Sequence, residues 1–249
     1  MSDKPSVIRE TDEGARKLAR LLLRSAGYAA LAVIDPDNGF PSASRVLLAT
    51  DIDGVPVILV SALSAHTKAL SGDKRASLLV GEPGKGDPLA YPRMTIQCEA
   101  SRVDHATTLH DRIRTRFLGH HPKSKRYIDF LDFYFYRLRP ISASLNGGFG
   151  KAYQLPGEDL EIRSAFIETI ARDAEAIVRE LVVLRPGPVA AFTDKLKGSS
   201  SRRWSISTVD AAGFNVIVGE NRHRYDFSSP IDLYEDLQSY ISKVTYSIP

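Results

Sequence analysis

The sequence has very little cysteine and almost no excess charge. Its 249 residues contain 1 cysteine, Cys98, which excludes a disulfide within the chain and fits a reducing compartment. Nowhere do about eighteen apolar residues run together, and the first residues lack the apolar core of a signal peptide. The 33 basic and 30 acidic residues nearly cancel, which leaves no general electrostatic case for nucleic acid. We therefore expect a cytoplasmic protein without a membrane or nucleic-acid partner.

Short apolar segments joined by turns dominate the first part of the chain. A helix is predicted over residues 11–26, where apolar side chains recur at three- and four-residue steps. The strands that follow are predicted over residues 28–35, 45–49, 55–62, 93–103 and 133–145. Short links of turn-forming residues between them favour an antiparallel sheet or barrel, and closure as a barrel would remove exposed strand edges.

The last third of the chain has a different pattern. Helical spacing returns over residues 158–185, and three short strands follow within residues 204–227. A final helix is predicted over residues 230–244. The break near Leu155-Pro-Gly157 divides the chain into a first domain, 1–155, and a small α+β domain, 156–249.

Polar side chains gather where the strand at 55–62 gives way to a helix. His66, Thr67 and Lys68 offer an imidazole, a hydroxyl and an ammonium at the start of that helix. The free N–H groups and the positive end of a helix suit a phosphate, so this is a candidate anion site. The alternative is an ordinary helix start with solvated polar side chains.

The other motifs give weaker evidence of a functional site. The loop 147–152 is rich in glycine but lacks the spacing of a P-loop, and the choice between a ligand-approaching loop and a plain turn stays open. The histidines show no spacing typical of a zinc site. Haem needs one axial imidazole, and His223, between Arg222 and Arg224, is a candidate for the haem iron; an exposed strand histidine is the favoured alternative. The basic helix that contains Arg112 and Arg116 is predicted to present a solvated face.

One series of motifs is shared with a known family. Arg45-Val-Leu-Leu, Asp53-Gly, His66-Thr-Lys and Arg75-Ala-Ser-Leu-Leu occur in that order, and Arg116-Phe-Leu-Gly-His-His-Pro122 follows them. Together they resemble the pyridoxamine-phosphate-oxidase-like, FMN-binding split barrels, and more closely their HugZ-like haem-utilisation branch. The resemblance covers residues 10–155 and implies a split β-barrel with flanking helices, followed by a small α+β C-terminal domain.

The resemblance also implies a homodimer whose ligand sites lie between subunits. In that arrangement four side chains would hold the FMN phosphate: Arg45, His66, Thr67 and Lys68. Backbone at Val60 and Ser61 would meet the flavin ring, with Arg93 nearby. Asn146 and Gly147, at the start of the glycine loop, would also approach the flavin.

Three functions follow from these observations. The first is an FMN-dependent oxidoreductase, with haem as a possible substrate, because a flavin would supply redox chemistry that no catalytic motif of the chain offers. The second is a non-catalytic protein that binds haem or a protein partner on the same scaffold. The third, pyridoxamine-phosphate oxidase itself, ranks last because its C-terminal Arg-x-His signature is not found where Asn146-Gly-Gly-Phe-Gly stands.

Overall fold

The protein folds into two compact units that divide between residues 161 and 162. The computed structural model describes residues 8–184, 187–197, 204–219, 221–233 and 236. The division lies just beyond the predicted domain boundary at 155/156. The first unit contains an eight-stranded sheet and the second a three-stranded one, each accompanied by helices, which confirms the predicted α+β class.

Six strands of the first unit close into an antiparallel barrel. The strands of this unit are β1 Ile8–Arg9, β2 Tyr28–Ile34, β3 Pro41–Thr50, β4 Pro56–Ser61, β5 Arg75–Val80, β6 Arg93–Arg102, β7 Phe133–Asn146 and β8 Ala152–Pro156. Around the barrel the order is β2, β3, β4, β7, β6, β5 and back to β2. Closure gives these six strands neighbours on both sides, as the sequence predicts.

The long strand β7 makes this barrel a split one. Its first residues, 133–137, pair with β4, whereas residues 142–146 pair with β8 along the same edge. Along its other edge, β7 pairs with β6 over residues 136–146 of β7. The short strand β1 pairs with β8 in parallel. The two ends of β7 therefore belong to different parts of the barrel wall.

Helices flank the barrel and cover its core. They are α1 Glu13–Ser25, α2 Ala65–Gly72 and α3 Thr108–His120, with 3-10 helices at Pro88–Ala90, Pro122–Arg126 and Gly157–Leu160. Helix α1 begins where the Asp12 carboxylate accepts a hydrogen bond from the Ala15 N–H at 2.7 Å. Its buried side chains Ala15, Ala19 and Leu23 join the barrel core.

Alternation along the strands separates the core from the outer wall. Leu31, Val46, Leu48 and Leu78 point inward and are buried, and each contributes about 1.5–3 kcal/mol through its apolar surface. Their neighbours along the same strands point outward. This alternation determines which of the predicted site residues can face the same ligand.

The structure corrects the prediction of a solvated basic face on α3. Arg116 is buried, and its Nε donates to the Thr50 carbonyl at 3.3 Å. Arg112 binds the fully buried carboxylate of Asp51 through two hydrogen bonds of 3.1 and 2.9 Å. The prediction is wrong for these two residues because the buried acceptors come from the distant end of β3 and the residue after it.

The second unit contains two helices and a three-stranded antiparallel sheet. Its elements are α4 Ile167–Leu184, α5 Gly187–Lys197, β9 Trp204–Asp210, β10 Gly213–Val218 and β11 Asn221–Asp226, with β10 in the middle of the sheet. The helix predicted from residue 158 begins later, because residues 157–160 form a 3-10 helix. The helix predicted over 230–244 falls largely outside the described residues. Among the described helices, none has the length and apolarity required to cross a membrane.

Candidate cofactor site at the start of helix α2

The turn between β4 and α2 is fixed by hydrogen bonds to a distant residue. Asp132 accepts from the Ser61 hydroxyl at 2.9 Å through its side chain and from the Ala62 N–H at 2.6 Å through its carbonyl. The Ser61 oxygen also accepts from the Leu63 N–H at 3.2 Å. These bonds hold the turn rigidly beside the start of β7.

Thr67 supports this turn from inside α2. Its buried hydroxyl donates to the Ser61 carbonyl at 2.7 Å, and its N–H donates to the Ser64 carbonyl. In this arrangement the Thr67 side chain is directed into the protein rather than towards solvent. It shapes the turn, because its hydroxyl hydrogen is bound by the Ser61 carbonyl.

The first N–H groups of α2 remain open. Ser64 precedes the helix but its side chain makes no capping hydrogen bond. In the described part of the chain, neither the Ala65 nor the His66 N–H has a hydrogen-bond acceptor. Open N–H groups together with the positive end of the helix are chemically suited to an anion.

His66 lies between α2 and strand β3. Its Nδ1 and the Ser44 hydroxyl are 3.0 Å apart in a hydrogen bond. Burial lowers the pKa of His66, so the imidazole is neutral near pH 7. It therefore contributes a hydrogen bond rather than a positive charge at this site.

Lys68 provides the positive charge next to the open N–H groups. Its ammonium lies 2.9 Å from both carboxylate oxygens of Asp37, in the β2–β3 hairpin. The hydrogen bond to Asp37 raises the pKa of Lys68, and the attraction of the same carboxylate adds to this effect. Both side chains are largely exposed, so this pair is a weak one that a ligand phosphate is able to replace.

Arg45 and Val60 face away from this cluster. Arg45 follows Ser44 on β3 and therefore points to the outer face of the barrel, where its guanidinium lies 5.1 Å from the ring centre of Tyr28. Val60 points into the core. Within one chain, Arg45 does not join His66 and Lys68, and Val60 offers a ligand only its backbone.

Arg93, Asn146 and Gly147 lie at the other end of the barrel. Arg93 pairs with Asn146 at the end of β7, whereas Ser61 pairs with Phe133 at its beginning. Arg93 donates to the Leu89 carbonyl at 3.1 Å, and the Asn146 side chain accepts from the Gly148 N–H at 3.0 Å. The Gly147 N–H donates to the Lys151 carbonyl at 2.7 Å, which closes the hairpin between β7 and β8. In one chain these residues form a separate cluster from the start of α2.

His223 lies on β11, opposite Val216 of the central strand. It is partly buried, and burial lowers its pKa, so the ring is neutral and able to ligate a metal near pH 7. The neighbouring Arg224 is fully buried and binds the carboxylates of Asp210 and Asp226. Arg224 is therefore committed to the interior of the sheet.

Sequence reasoning missed the residues that complete the α2 site. Ser44, Asp37 and Asp132 come from three separate segments, and no local pattern connects them with His66, Lys68 or Ser61. The Asx-type residues of the β2–β3 turn were a signal for the hairpin but not for its contact with α2. Among the described residues, no group of three or more histidine, cysteine or acidic side chains is arranged to hold a metal ion.

A closed six-stranded barrel, split along β7 and flanked by helices, defines the chain as a split-barrel protein. The model of the CREG β-barrel family matches residues 10–161, and the chain belongs to this family. The match confirms the split-barrel resemblance that the sequence motifs carry.

The chain is similar to three known proteins. The chain is 28% identical over 181 residues, 72% of its length, to the non-canonical haem oxygenase HOZ of the Arabidopsis thaliana chloroplast, and the match spans 55% of that protein. A protein of unknown function from Agrobacterium tumefaciens superimposes with a TM-score of 0.79 at 25% identity, covering 96% of this chain and 100% of that one. A haem-binding protein from Mycobacterium smegmatis shares the fold, with a TM-score of 0.54 and 24% identity over 98% of this chain and 97% of that one. The chain is thus a split-barrel protein with a haem oxygenase among its relatives.

Proposed function

We propose that this protein binds haem and promotes the oxidative opening of the haem ring. The observation that carries the proposal is the similarity to a haem oxygenase over 181 residues. This similarity extends over more residues than the match to the family model, which covers residues 10–161. Haem is the substrate in this proposal, and it would supply the iron and the oxidisable ring. The chain would supply an imidazole, a binding surface and the exclusion of water.

His223 is the imidazole that we propose for the haem iron. A ligating histidine must be neutral, and burial lowers the pKa of His223. His120 and His121 are buried, and their Nε2 atoms donate to the carbonyls of Ala26 and Leu48 at 3.1 and 2.7 Å. Those two rings therefore stabilise the barrel and are poor ligands for a large planar substrate.

Haem titration of the 249-residue chain tests this proposal. We expect a Soret band that saturates at one haem per chain, and its loss on addition of dioxygen and an electron donor, with a bilin absorbing at longer wavelength. A stable Soret band under turnover conditions would support the non-catalytic haem-binding alternative. Absence of a saturable Soret band would refute both.

A matched pair of variants tests the iron ligand. His223→Ala should shift the Soret maximum and weaken haem binding, whereas His105→Ala, on the exposed turn before α3, should leave both unchanged. Added imidazole should restore the original spectrum of His223→Ala, because it replaces the missing ligand. An unchanged spectrum in His223→Ala would exclude this residue as the iron ligand.

FMN binding at the start of α2 is the second candidate function. The open N–H groups of Ala65 and His66, together with the ammonium of Lys68, fit the phosphate of FMN. A bound flavin would supply the redox chemistry. The chain would hold its phosphate against the helix and keep the turn at Ser61 fixed through Asp132.

Opposite effects of two substitutions test this site. Lys68→Gln should weaken FMN binding by roughly tenfold, the loss of one charge-assisted hydrogen bond. Asp37→Asn should strengthen it, because the ammonium of Lys68 is then no longer held by a carboxylate. Lys17→Gln, on the exposed face of α1, is the control. If the unmodified chain does not quench FMN fluorescence at saturating protein, this candidate is lost and the haem proposal stands unaffected.

We also propose that the protein is a homodimer joined through the outer wall of the barrel. The outward side chains of β2 are all apolar: Tyr28, Ala30, Ala32 and Ile34. On the adjoining strands Leu47 is 36% and Leu79 is 45% exposed, and Arg45 of β3 and Arg75 of β5 are charged residues on the same side. A largely apolar sheet face of this extent is typical of a surface that a second copy covers.

Sedimentation of two variants tests the dimer. Leu47→Glu combined with Leu79→Glu should give a monomer, because four like charges would meet across a two-fold interface. Leu89→Glu, an exposed leucine on a 3-10 helix, should leave the dimer intact. A monomeric unmodified chain at micromolar concentration would refute the proposal.

A further inference from the structure

A polar cavity lies on the outer wall of the barrel, apart from the start of α2. Its volume is about 430 Å³, within the range of small-molecule pockets. The walls carry charges of both signs, contributed by β6, β7 and the segments before β5 and after the last 3-10 helix. Its polar lining includes Lys74, Glu99, Ser101, Arg137, Arg139 and Glu161.

The floor of this cavity is built from residues that form ion pairs with one another. Glu99 and Arg139 are cross-strand neighbours and form an ion pair of 2.5 Å, and Ser101 lies opposite Arg137. Arg137 also binds Asp53, which lines the cavity, and its Nε lies 3.4 Å from the fully buried carboxylate of Asp51. The charges of the floor are therefore paired within the protein, and the buried Arg137 Nε has no hydrogen-bond acceptor among the described residues.

Lys74 and Glu161, which also line the cavity, differ from the floor residues. In the part of the chain that the structure describes, neither side chain makes a hydrogen bond or an ion pair, with each other or with any other residue. Their charges are opposite, yet they are not close enough to neutralise one another. The cavity thus offers one ammonium and one carboxylate that are not matched from within the protein.

The backbone holds both residues in place. The Lys74 carbonyl accepts from the Ala100 N–H at 2.7 Å, which fixes the start of β5 against β6. The segment before Glu161 packs tightly on β7, because a Cβ on Gly157 would lie 2.1 Å from the Pro140 carbonyl oxygen. The backbone at both positions is therefore anchored, while the Lys74 side chain itself is exposed at the cavity.

We propose that this cavity binds a small zwitterion of amino-acid or dipeptide size. The ligand carboxylate would bind the ammonium of Lys74, and the ligand ammonium would bind the carboxylate of Glu161. A ligand with a single charge would leave one of these groups unmatched, and it would also face like charges in the lining. The cavity should therefore prefer a ligand that has both a carboxylate and an ammonium, because only such a ligand pairs with both Lys74 and Glu161. The site is independent of the haem and FMN proposals.

Calorimetric titration with glycylglycine and its two blocked forms tests the proposal. N-acetylglycylglycine lacks the ammonium and glycylglycinamide lacks the carboxylate, but the size and the peptide group are retained. We expect glycylglycine to bind roughly tenfold to hundredfold more tightly than either blocked form, the loss expected of one charged hydrogen bond. Equal binding of the three peptides, or no binding of glycylglycine, would overturn the proposal.

Two variants assign each charge to its partner. Lys74→Gln should weaken the binding of glycylglycine but not of glycylglycinamide, and Glu161→Gln should weaken glycylglycine but not N-acetylglycylglycine. Both residues are at least partly exposed, so neither substitution should prevent folding. Lys125→Gln, an exposed lysine outside the cavity, should change none of these affinities. Glycylglycine binding that is unchanged in both cavity variants would exclude this site.

Discussion

Replacing Arg224 should destabilise the second unit strongly. Its guanidinium is fully buried and makes two hydrogen bonds with Asp210, of 2.7 and 2.6 Å, and one of 2.8 Å with Asp226. Burial opposes the charged form, but the attraction of both carboxylates outweighs it and raises the pKa of Arg224. Arg224→Met would leave the buried carboxylate of Asp210 without both guanidinium bonds. Loss of one partner of such a buried pair costs about 3–5 kcal/mol.

The assay is unfolding by urea, monitored through tryptophan fluorescence. The chain has 1 tryptophan, Trp204, at the start of β9, so its signal reports on the sheet that contains Arg224. We expect Arg224→Met to lower the free energy of unfolding by about 3–5 kcal/mol, and Arg224→Lys by less, because a charge is retained. A second substitution, Asp210→Asn, should recover part of the loss in Arg224→Met.

The matched control for this prediction is Arg179→Met on helix α4. Arg179 is 72% exposed and its carboxylate partner Glu175 is 3.9 Å away, so the change should stay within about 0.5 kcal/mol. An equally small effect of Arg224→Met would refute the reasoning, since it would mean that the buried pair contributes nothing. The prediction also concerns function, because Arg224 anchors the strand that carries His223, the proposed haem ligand.

Three further predictions concern the barrel unit. Gly157→Ala should cost about 1–3 kcal/mol by thermal unfolding, because the new Cβ would overlap the Pro140 carbonyl, whereas Gly72→Ala has open space and should be neutral. The pKa of His66 is lower in the folded protein than in the unfolded chain, so the unfolded chain binds the proton first and the free energy of unfolding falls as the pH drops below about 6.5. His66→Gln should therefore remove part of the loss of stability that the unmodified protein shows between about pH 7 and pH 5. Burial raises the pKa of the Cys98 thiol to about 12, so a thiol reagent at neutral pH should label it in urea but not in the native protein. Equal labelling in both states would contradict its burial.

The barrel was predictable because its signals are local. Apolar alternation and turn residues predict most of β2 to β7, and the helix predicted over residues 11–26 corresponds to α1. Local signals do not predict the position of β8. It pairs with the part of β7 that extends beyond the pairing of β7 with β4, so its position depends on contacts between distant segments. Such non-local pairing has no signature in a single window of sequence.

The candidate site was predicted in part, for the same reason. His66, Thr67 and Lys68 are adjacent in sequence, and the structure places them at the start of α2 as expected. Their partners Ser44, in β3, and Asp37, in the β2–β3 hairpin, come from segments that only the closed barrel brings near. The direction of Thr67, inward to the Ser61 carbonyl, also depends on the fold rather than on the local pattern.

The direction of Arg45 links the proposed cofactor site with the proposed dimer. Alternation along β3 sends Ser44 towards His66 and Arg45 to the opposite face, beside Tyr28. A single chain therefore has no means of bringing Arg45 to a phosphate bound at α2. In the proposed dimer this face is covered by a second copy, so any contribution of Arg45 to FMN binding would have to be made across the interface. If Arg45 contributes in this way, the monomeric variant should lose its contribution and keep that of Lys68.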